Sequence, residues 1–427
     1  MIGLLIFAGL LVLIFLGVPI AIAICAIALT GMVLSNGVLG LYNAALSMFD
    51  GATSFPLIAI PLFILAGALM NTGGISRRLI GFVSALIGFV RGGLAMVNVG
   101  VSLFFAEISG SAVADVAAIG SVLIPAMKRR NYKPTFSAAV TSSSASLAII
   151  IPPSIPMILY GAMADTSIVQ LFVAGIVPGL LGGFGMLCLC YWFAVRYDLP
   201  REEAFSLGRL WTALKDASWA LLLPVIILGG IFGGIVTATE GAGLAVVAAL
   251  LIGGLIYREL NLRQLHAALI DGVTQTAVVM LLVATSAVLG LYLTEIELPQ
   301  QLARSITEAT TNKYLVLMML NVLLIVLGMF LHGAAAIILV VPIVLPLIHA
   351  VGIDPVHFGI ILTLNLAIGQ QTPPVASVLV TACAIAKTDI WDTTKTNLPF
   401  IVLLFVLLMV VTYVPFVPLT LVEYFYR

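Results

Sequence analysis

Residues 148–154 read Ala148-Ile149-Ile150-Ile151-Pro152-Pro153-Ser154, and residues 369–375 read Gly369-Gln370-Gln371-Thr372-Pro373-Pro374-Val375. A double proline inside an apolar run breaks a helix, because proline has no N–H to donate and its ring clashes with the carbonyl four residues back. Pro152 and Pro153 therefore release the carbonyls of Ala148 and Ile149, and Pro373 and Pro374 release those of Gly369 and Gln370. In lipid, irregular backbone survives only where it is buried in protein or lines water, so freed carbonyls need a donor or a cation.

Outward from the two breaks, the sequence repeats. Pro125, Pro134, Pro152 and Pro153 recur at one constant spacing, with no gap needed, as Pro346, Pro355, Pro373 and Pro374. Ahead of each break lies a segment, 95–127 or 318–348, made of an apolar arm of about 14 residues, a small-residue tip and a second arm ending at a proline. The tips are Ser109-Gly110-Ser111 and His332-Gly333-Ala334, spaced slightly wider than the prolines, as a small insertion between tip and proline would make them. Arms of roughly 10–14 residues are too short to cross a bilayer, so both segments are expected to be re-entrant hairpins. The order of parts is the same twice, which indicates an internal duplication.

Composition sets the environment. Of 427 residues 62% are apolar, and only 18 basic and 18 acidic residues are present, against roughly 25% charged in soluble domains. At roughly 20 apolar residues per crossing, the chain is a polytopic membrane protein with at most about a dozen crossings. Unbroken candidates are 4–34, 53–72, 135–149, 168–195, 217–236, 241–257, 267–294, 355–368 and 397–420. The first is too long for a signal-peptide core and has no basic residue before it, so it reads as a retained membrane helix.

Zero net charge without like-charge blocks gives no footprint for nucleic acid. The four cysteines (25, 188, 190, 383) have no C-x-x-C spacing, the four histidines make no i, i+4 pair, and Walker A, H-E-x-x-H and G-x-S-x-G motifs are absent. ATP-driven pumping and these hydrolytic chemistries have no support, and no enzyme is expected.

Charge orients the repeats. Lys128-Arg129-Arg130-Asn131-Tyr132-Lys133 follows the first hairpin, whereas its counterpart, His349–Asp354, has no Lys or Arg. Cytoplasmic loops concentrate Lys and Arg, so the repeats lie in opposite orientations, with Arg77, Arg78, the stretch Arg196–Lys215, Arg258 and Arg263 also inside. Asp165, Glu240 and Glu295–Glu297 then fall outside. Nine crossings and two hairpins put the N-terminus in the cytoplasm and the C-terminus outside. Leu207, Leu210, Trp211 and Leu214 follow helical spacing opposite Arg209 and Lys215, as in an interfacial amphipathic helix or a solvated loop; a weaker pattern follows Arg258.

Inverted repeats whose broken helices meet at the midplane characterise secondary transporters, in which freed carbonyls hold coupling cations and half-helix N-termini face anionic substrates. Ser109 and Ser111 supply hydroxyls at the first tip, and Gly110 lets the backbone turn. An uncharged oxygen cage suits Na⁺ better than a divalent ion, which usually demands carboxylates. With no Lys or Arg at the tips or breaks, substrate carboxylates would meet helix N-termini and Ser142, Ser143, Ser144, Ser154, Asn365, Gln370, Gln371 and Thr372. Glu107, Asp115 and Glu240 are either functional acids or capping and ion-pair residues.

The stretches Phe104–Ser111, Ala118–Ser121, Ile124–Arg130, Ile151–Pro156, Ser54–Pro61, Thr239-Glu240, Asp354–Gly359 and Gln371–Val375 together resemble the large membrane subunit of tripartite ATP-independent periplasmic (TRAP) transporters. The resemblance implies an all-α, elevator-type inverted-repeat secondary transporter with two re-entrant hairpins and two broken helices. It implies scaffold helices and an arm over 1–90, a first transport-domain repeat over 91–195, scaffold helices with amphipathic arms over 196–312, a second repeat over 313–396 and a C-terminal membrane helix over 397–427. It implies Na⁺ at Ser109, Gly110, Ser111, Ala148, Ile151 and Pro153, and at His332, Gly333, Gly369, Thr372 and Pro374. It also implies residence in the bacterial inner membrane, a small four-helix membrane subunit as a separate partner, and a periplasmic substrate-binding protein. The second tip departs from the pattern: similar proteins often carry an acid where this chain has His332, and Gln370 is polar where an apolar residue is common.

The expected function is sodium-coupled import of an organic acid, of the sialic acid or C4-dicarboxylate class. An autonomous sodium-coupled dicarboxylate carrier would need no binding protein. A passive anion channel would conduct without a sodium gradient, but the basic ring that selective anion pores use is absent.

Overall fold

The computed structural model describes residues 2–37, 40–201 and 204–426, with side chains described for all of these except 2–5, 7, 11, 36 and 106–109. The chain is helical: α1 (Ile2–Phe15), α2 (Ile20–Asn36), α3 (Gly40–Ala52), α4 (Ala59–Thr72), α5 (Ile75–Ile87), α6 (Gly93–Ser109), α7 (Ala112–Arg129), α8 (Pro134–Ala145), α9 (Ile155–Met163) and α10 (Ile168–Arg196) form its first part. Its second part is α11 (Leu207–Phe232), α12 (Ala238–Leu250), α13 (Leu262–Glu295), α14 (Leu298–Ala309), α15 (Lys313–Phe330), α16 (Gly333–Val351), α17 (Pro355–Gly369), α18 (Ser377–Ala386), α19 (Ile390–Tyr413) and α20 (Phe416–Tyr426). Among the described residues, eight helical segments are long and apolar enough to cross a bilayer.

Capping chemistry fixes where many of these helices start. Thr237 and Glu240 close a capping box on α12, and Asn261 and Gln264 close one on α13. Asp354 accepts from the His357 backbone N–H at 3.0 Å ahead of Pro355, and Asp389 caps α19. Glu240 is thus a cap.

The duplication is visible in five consecutive helices, α6–α10 and α15–α19. In each set a two-helix hairpin is followed by a helix that breaks at a double proline, α8/α9 or α17/α18, and then by a long helix. Pro152–Pro153 and Pro373–Pro374 are both cis. Packing is reciprocal: α16 rests on α9, and α7 rests on α18. Around this unit, α13 packs on α2, α3 and α4, while α12 packs on α4 and α11 on α5.

Basic residues collect on one face. Arg78 meets Asp216 and Glu259, Arg91 pairs with Asp198, Lys128 donates to the Ala386 carbonyl at 2.9 Å, and Lys133 lies over the Tyr197 ring. The segments joined by these contacts contain 15 of the 18 Lys and Arg residues. The first hairpin begins and ends on this face, the second on the opposite one.

Several expectations are corrected. The stretch 4–34 is not one helix: α1 and α2 fold back on each other at Gly17-Val18-Pro19, where Gly17 has φ +80°. Glycine tolerates that conformation and Pro19 cannot continue a helical ladder. The 397–420 stretch is likewise interrupted between α19 and α20 at Val414-Pro415. Hairpin arms run 17–19 residues rather than about 14, because α6 and α15 start earlier, at Gly93 and Lys313, and α7 continues past Pro125 and α16 past Pro346. The 206–216 amphipathic segment is the start of the continuous 26-residue α11.

Candidate functional site

A cavity of about 900 Å³ lies between the outer helices and the repeat unit. One wall comes from α4, α5 and α13, with Asn71, Ser76, Arg77, Asp271, Thr274 and Gln275 as its polar side chains. The other comes from both hairpin tips and both breaks: Gly110, Ser111, Ile149, Ile155 and Pro156 from the first repeat, and His332, Gly333 and Gln370 from the second.

Each tip abuts the break of its own repeat. Gly110 has φ +57°, and a β-carbon there would lie 3.0 Å from the Ile155 nitrogen and 3.2 Å from the Pro153 carbonyl oxygen. One on Gly333 would lie 2.9 Å from Gln370 Nε2. Ser111 is the N-cap of α7, accepting from Ala114 N–H. The Ser109 side chain lies outside the described residues.

Three of the four carbonyls released by the prolines find other partners. Ser154 Oγ donates to the Ile149 carbonyl at 2.7 Å, Thr372 N–H to Gly369 at 3.0 Å and Val378 N–H to Gln370 at 3.2 Å. Each carbonyl oxygen keeps a second lone pair. The Thr372 hydroxyl donates to Ile368. Pro374 is exposed, whereas Ala148, Ile151 and Pro153 are buried.

The residues expected to meet substrate divide into two groups. Gln370 lines the cavity. Ser142, Ser143, Asn365 and Gln371 instead form fully buried hydrogen-bond networks. Ser142 Oγ donates to Gln371 Oε1 at 2.5 Å, Gln371 Nε2 returns to the Ser142 carbonyl at 2.6 Å and also meets Ser146 Oγ, and Asn397 Nδ2 donates to Gln371 Oε1 at 3.0 Å. Ser143 Oγ donates to Asn397 Oδ1 at 2.6 Å. This network joins α8, the second break and α19, which satisfies polar groups that would otherwise be costly at membrane depth. Ser154 is buried on Ile149.

Asn71, Ser76, Arg77, Asp271, Thr274 and Gln275 line the cavity, although the sequence reading places none of them at the site. Asp271, Thr274 and Gln275 follow i, i+3, i+4 spacing, a polar stripe on an otherwise apolar spanning helix, and this is the signal that could have found them.

Hairpin tips and broken helices from opposed repeats, converging on one cavity in an all-helical membrane protein, define the architecture of a secondary transporter. The family model described as "Tripartite ATP-independent periplasmic transporter, DctM component" matches residues 7–417, and the chain belongs to that family. The isethionate TRAP transporter permease protein DctMQ of Oleidesulfovibrio alaskensis is 41% identical over 94% of this chain, which spans only 64% of that relative. The C4-dicarboxylate TRAP transporter large permease protein DctM of Pseudomonas aeruginosa is 38% identical, with 89% of each chain covered. The sialic acid TRAP transporter large permease protein SiaM of Vibrio cholerae is 37% identical over 98% of this chain and 97% of the relative. The YdaH transporter of Alcanivorax borkumensis shares the fold, with a TM-score of 0.62 at 16% identity over 89% of each chain.

Proposed function

We propose that the chain carries an organic anion across the bacterial inner membrane by sodium-coupled alternating access. The observation that carries this is the cavity walled on one side by α4, α5 and α13 and on the other by both tips. A unit built of α6–α10 and α15–α19 that slides against the remaining helices would carry the tips and their substrate across the membrane, as an elevator does. Its boundaries follow the expected repeats at 91–195 and 313–396, with α19 added to the second.

Na⁺ would sit where the tips meet the breaks, held by Ser109, Gly110, Ser111, Ala148, Ile151 and Pro153 in one repeat. In the other it would be held by His332, Gly333, Gly369, Thr372 and Pro374. Gln370 would touch substrate, while Ser142, Ser143, Asn365 and Gln371 would hold the breaks in place. The relatives' named substrates, isethionate, C4-dicarboxylate and sialic acid, share an anionic group, which supports an organic acid without choosing one. The relatives' tripartite names support a small membrane subunit and a periplasmic binding protein as partners.

The basic face would be cytoplasmic. Because α1 and α2 fold back, the N-terminus would lie on the opposite face, revising the count that put it inside; the C-terminus stays outside.

The test is uptake into proteoliposomes of the chain with a small membrane partner, with and without an inward sodium gradient and a binding protein. Uptake that requires both supports the tripartite reading. Sodium-driven uptake without a binding protein would make the chain an autonomous carrier, and sodium-independent flux would overturn the coupling.

A further inference from the structure

The cavity lining contains one cation and one anion among the described residues, Arg77 and Asp271. Arg77 and its neighbour Arg78 sit side by side near the start of α5 but are held differently. Arg78 is locked: its side chain is 14% exposed, it meets Asp216 Oδ1 at 3.2 Å and Glu259 Oε1 at 2.8 Å, it donates to the Gly74 carbonyl at 3.0 Å, and it stacks 3.7 Å from the centroid of the Tyr257 ring. Arg77 is 73% exposed and has one ion pair, 2.6 Å from its Nη2 to the same Glu259 Oε1. Glu259 is therefore already bridged by a fixed guanidinium, and Arg77 can leave it without stranding a carboxylate. An exposed single-contact ion pair is weakly held.

A guanidinium lining the cavity has further N–H groups to offer, in the fork geometry that matches carboxylate or sulfonate oxygens. Arg77 lies at the end of the cavity on the basic face, away from the hairpin tips. The other polar groups on this wall, Asn71, Ser76, Thr274 and Gln275, suit a ligand bearing hydroxyl or amide groups.

We propose that Arg77 is a second anion-binding station in the transport path, which takes the carboxylate or sulfonate of the substrate as it leaves the tips by exchanging Glu259 for it. This rests on the transport reading above. Glu259 acts as the latch that holds Arg77 at the mouth between substrates, and Asp271 on α13 sets the sign of the path by repelling a second anion.

The experiment is equilibrium binding of radiolabelled succinate, isethionate and sialic acid to the full chain in lipid nanodiscs, in sodium and in choline buffers. For whichever acid the wild type binds, Arg77→Ala should weaken affinity at least about tenfold and leave the half-saturating sodium concentration unchanged. Arg77→Lys should fall between the two, since it keeps the charge and loses the fork, and it decides the question if the alanine variant is not monodisperse. Affinity within about twofold of wild type in both variants overturns the proposal. Binding that needs Arg77 but ignores sodium supports the station and overturns sodium coupling. Binding of none of the three acids by the wild type overturns both.

Discussion

Asn321 holds in the second repeat the place that Asn98 holds in the first, at the same spacing as the two tips, and the two make the same contact. Asn98 Oδ1 accepts from Ser144 Oγ at 3.2 Å, and Asn321 Oδ1 accepts from Asn365 Nδ2 at 2.8 Å. Ser144 and Asn365 are themselves in register with the paired prolines, on the first halves of the two broken helices. In each repeat, a fully buried amide on the first hairpin arm is bonded to the helix that breaks. Asn98 Nδ2 also donates to Thr141 Oγ1 at 2.6 Å, and Asn321 Nδ2 to Thr412 Oγ1 at 3.1 Å.

Asn98→Ala and Asn321→Ala should each destabilise the protein, because truncation strands buried partners at about 1–3 kcal/mol apiece. Thermal unfolding in detergent checks this, with comparable drops in midpoint expected for the two variants. A silent variant would show that the contact in that repeat is not stabilising.

Gly369 and Gly328 let α17 and α15 cross backbone to backbone: a β-carbon on Gly369 would lie 2.5 Å from Gly328 Cα. Neither partner can yield without moving a helix. Gly369→Ala should cost about 1–3 kcal/mol by overpacking and displace the second break. The measurement is transport beside thermal stability, and full retention of both would mean that the crossing is looser than described.

Adjacent glutamines separate structure from transport. Gln371 is fully buried at the node joining Ser142, Ser146 and Asn397, while Gln370, also buried, lines the cavity beside Gly333. Gln371→Leu should lower the unfolding midpoint, at about 1–3 kcal/mol for unmade buried bonds. Gln370→Ala should lower the midpoint less than Gln371→Leu and alter substrate or sodium dependence of uptake. Equal loss of stability in both would place Gln370 in the same buried network.

The breaks and tips are legible in the sequence because proline and glycine act on the local backbone, so Pro152, Pro153, Gly110 and their partners can be placed from it. The reversal between α1 and α2 is also written locally, as Gly17-Val18-Pro19, but the apolar run around it hides a turn inside what looks like one span. Ser142 and Gln371 stand out in the sequence as unusual, yet they face each other rather than the cavity: their bond spans 229 residues, and no local pattern shows whether a polar side chain faces a cavity or another helix. The cavity wall on α4, α5 and α13 escapes the sequence for the same reason, since its polar groups become a site only when those helices face the tips.

The sodium assignment makes the sharpest demand on the repeat. If cations sit between tips and breaks, Ser111→Ala in the first repeat and Thr372→Ala in the second should each raise the sodium concentration for half-maximal uptake. Ser111 caps α7 through a long 3.5 Å bond, and the Thr372 hydroxyl bonds back to Ile368 at 2.9 Å. Loss of either side-chain oxygen should therefore weaken cation binding more than folding, and the shift should appear in sodium titrations at saturating substrate. A cap lost to alanine costs about 0.5–2 kcal/mol of stability, so thermal unfolding must be measured on the same variants. Unchanged sodium dependence in both, with midpoints lowered, would make these residues caps alone and move the ions elsewhere.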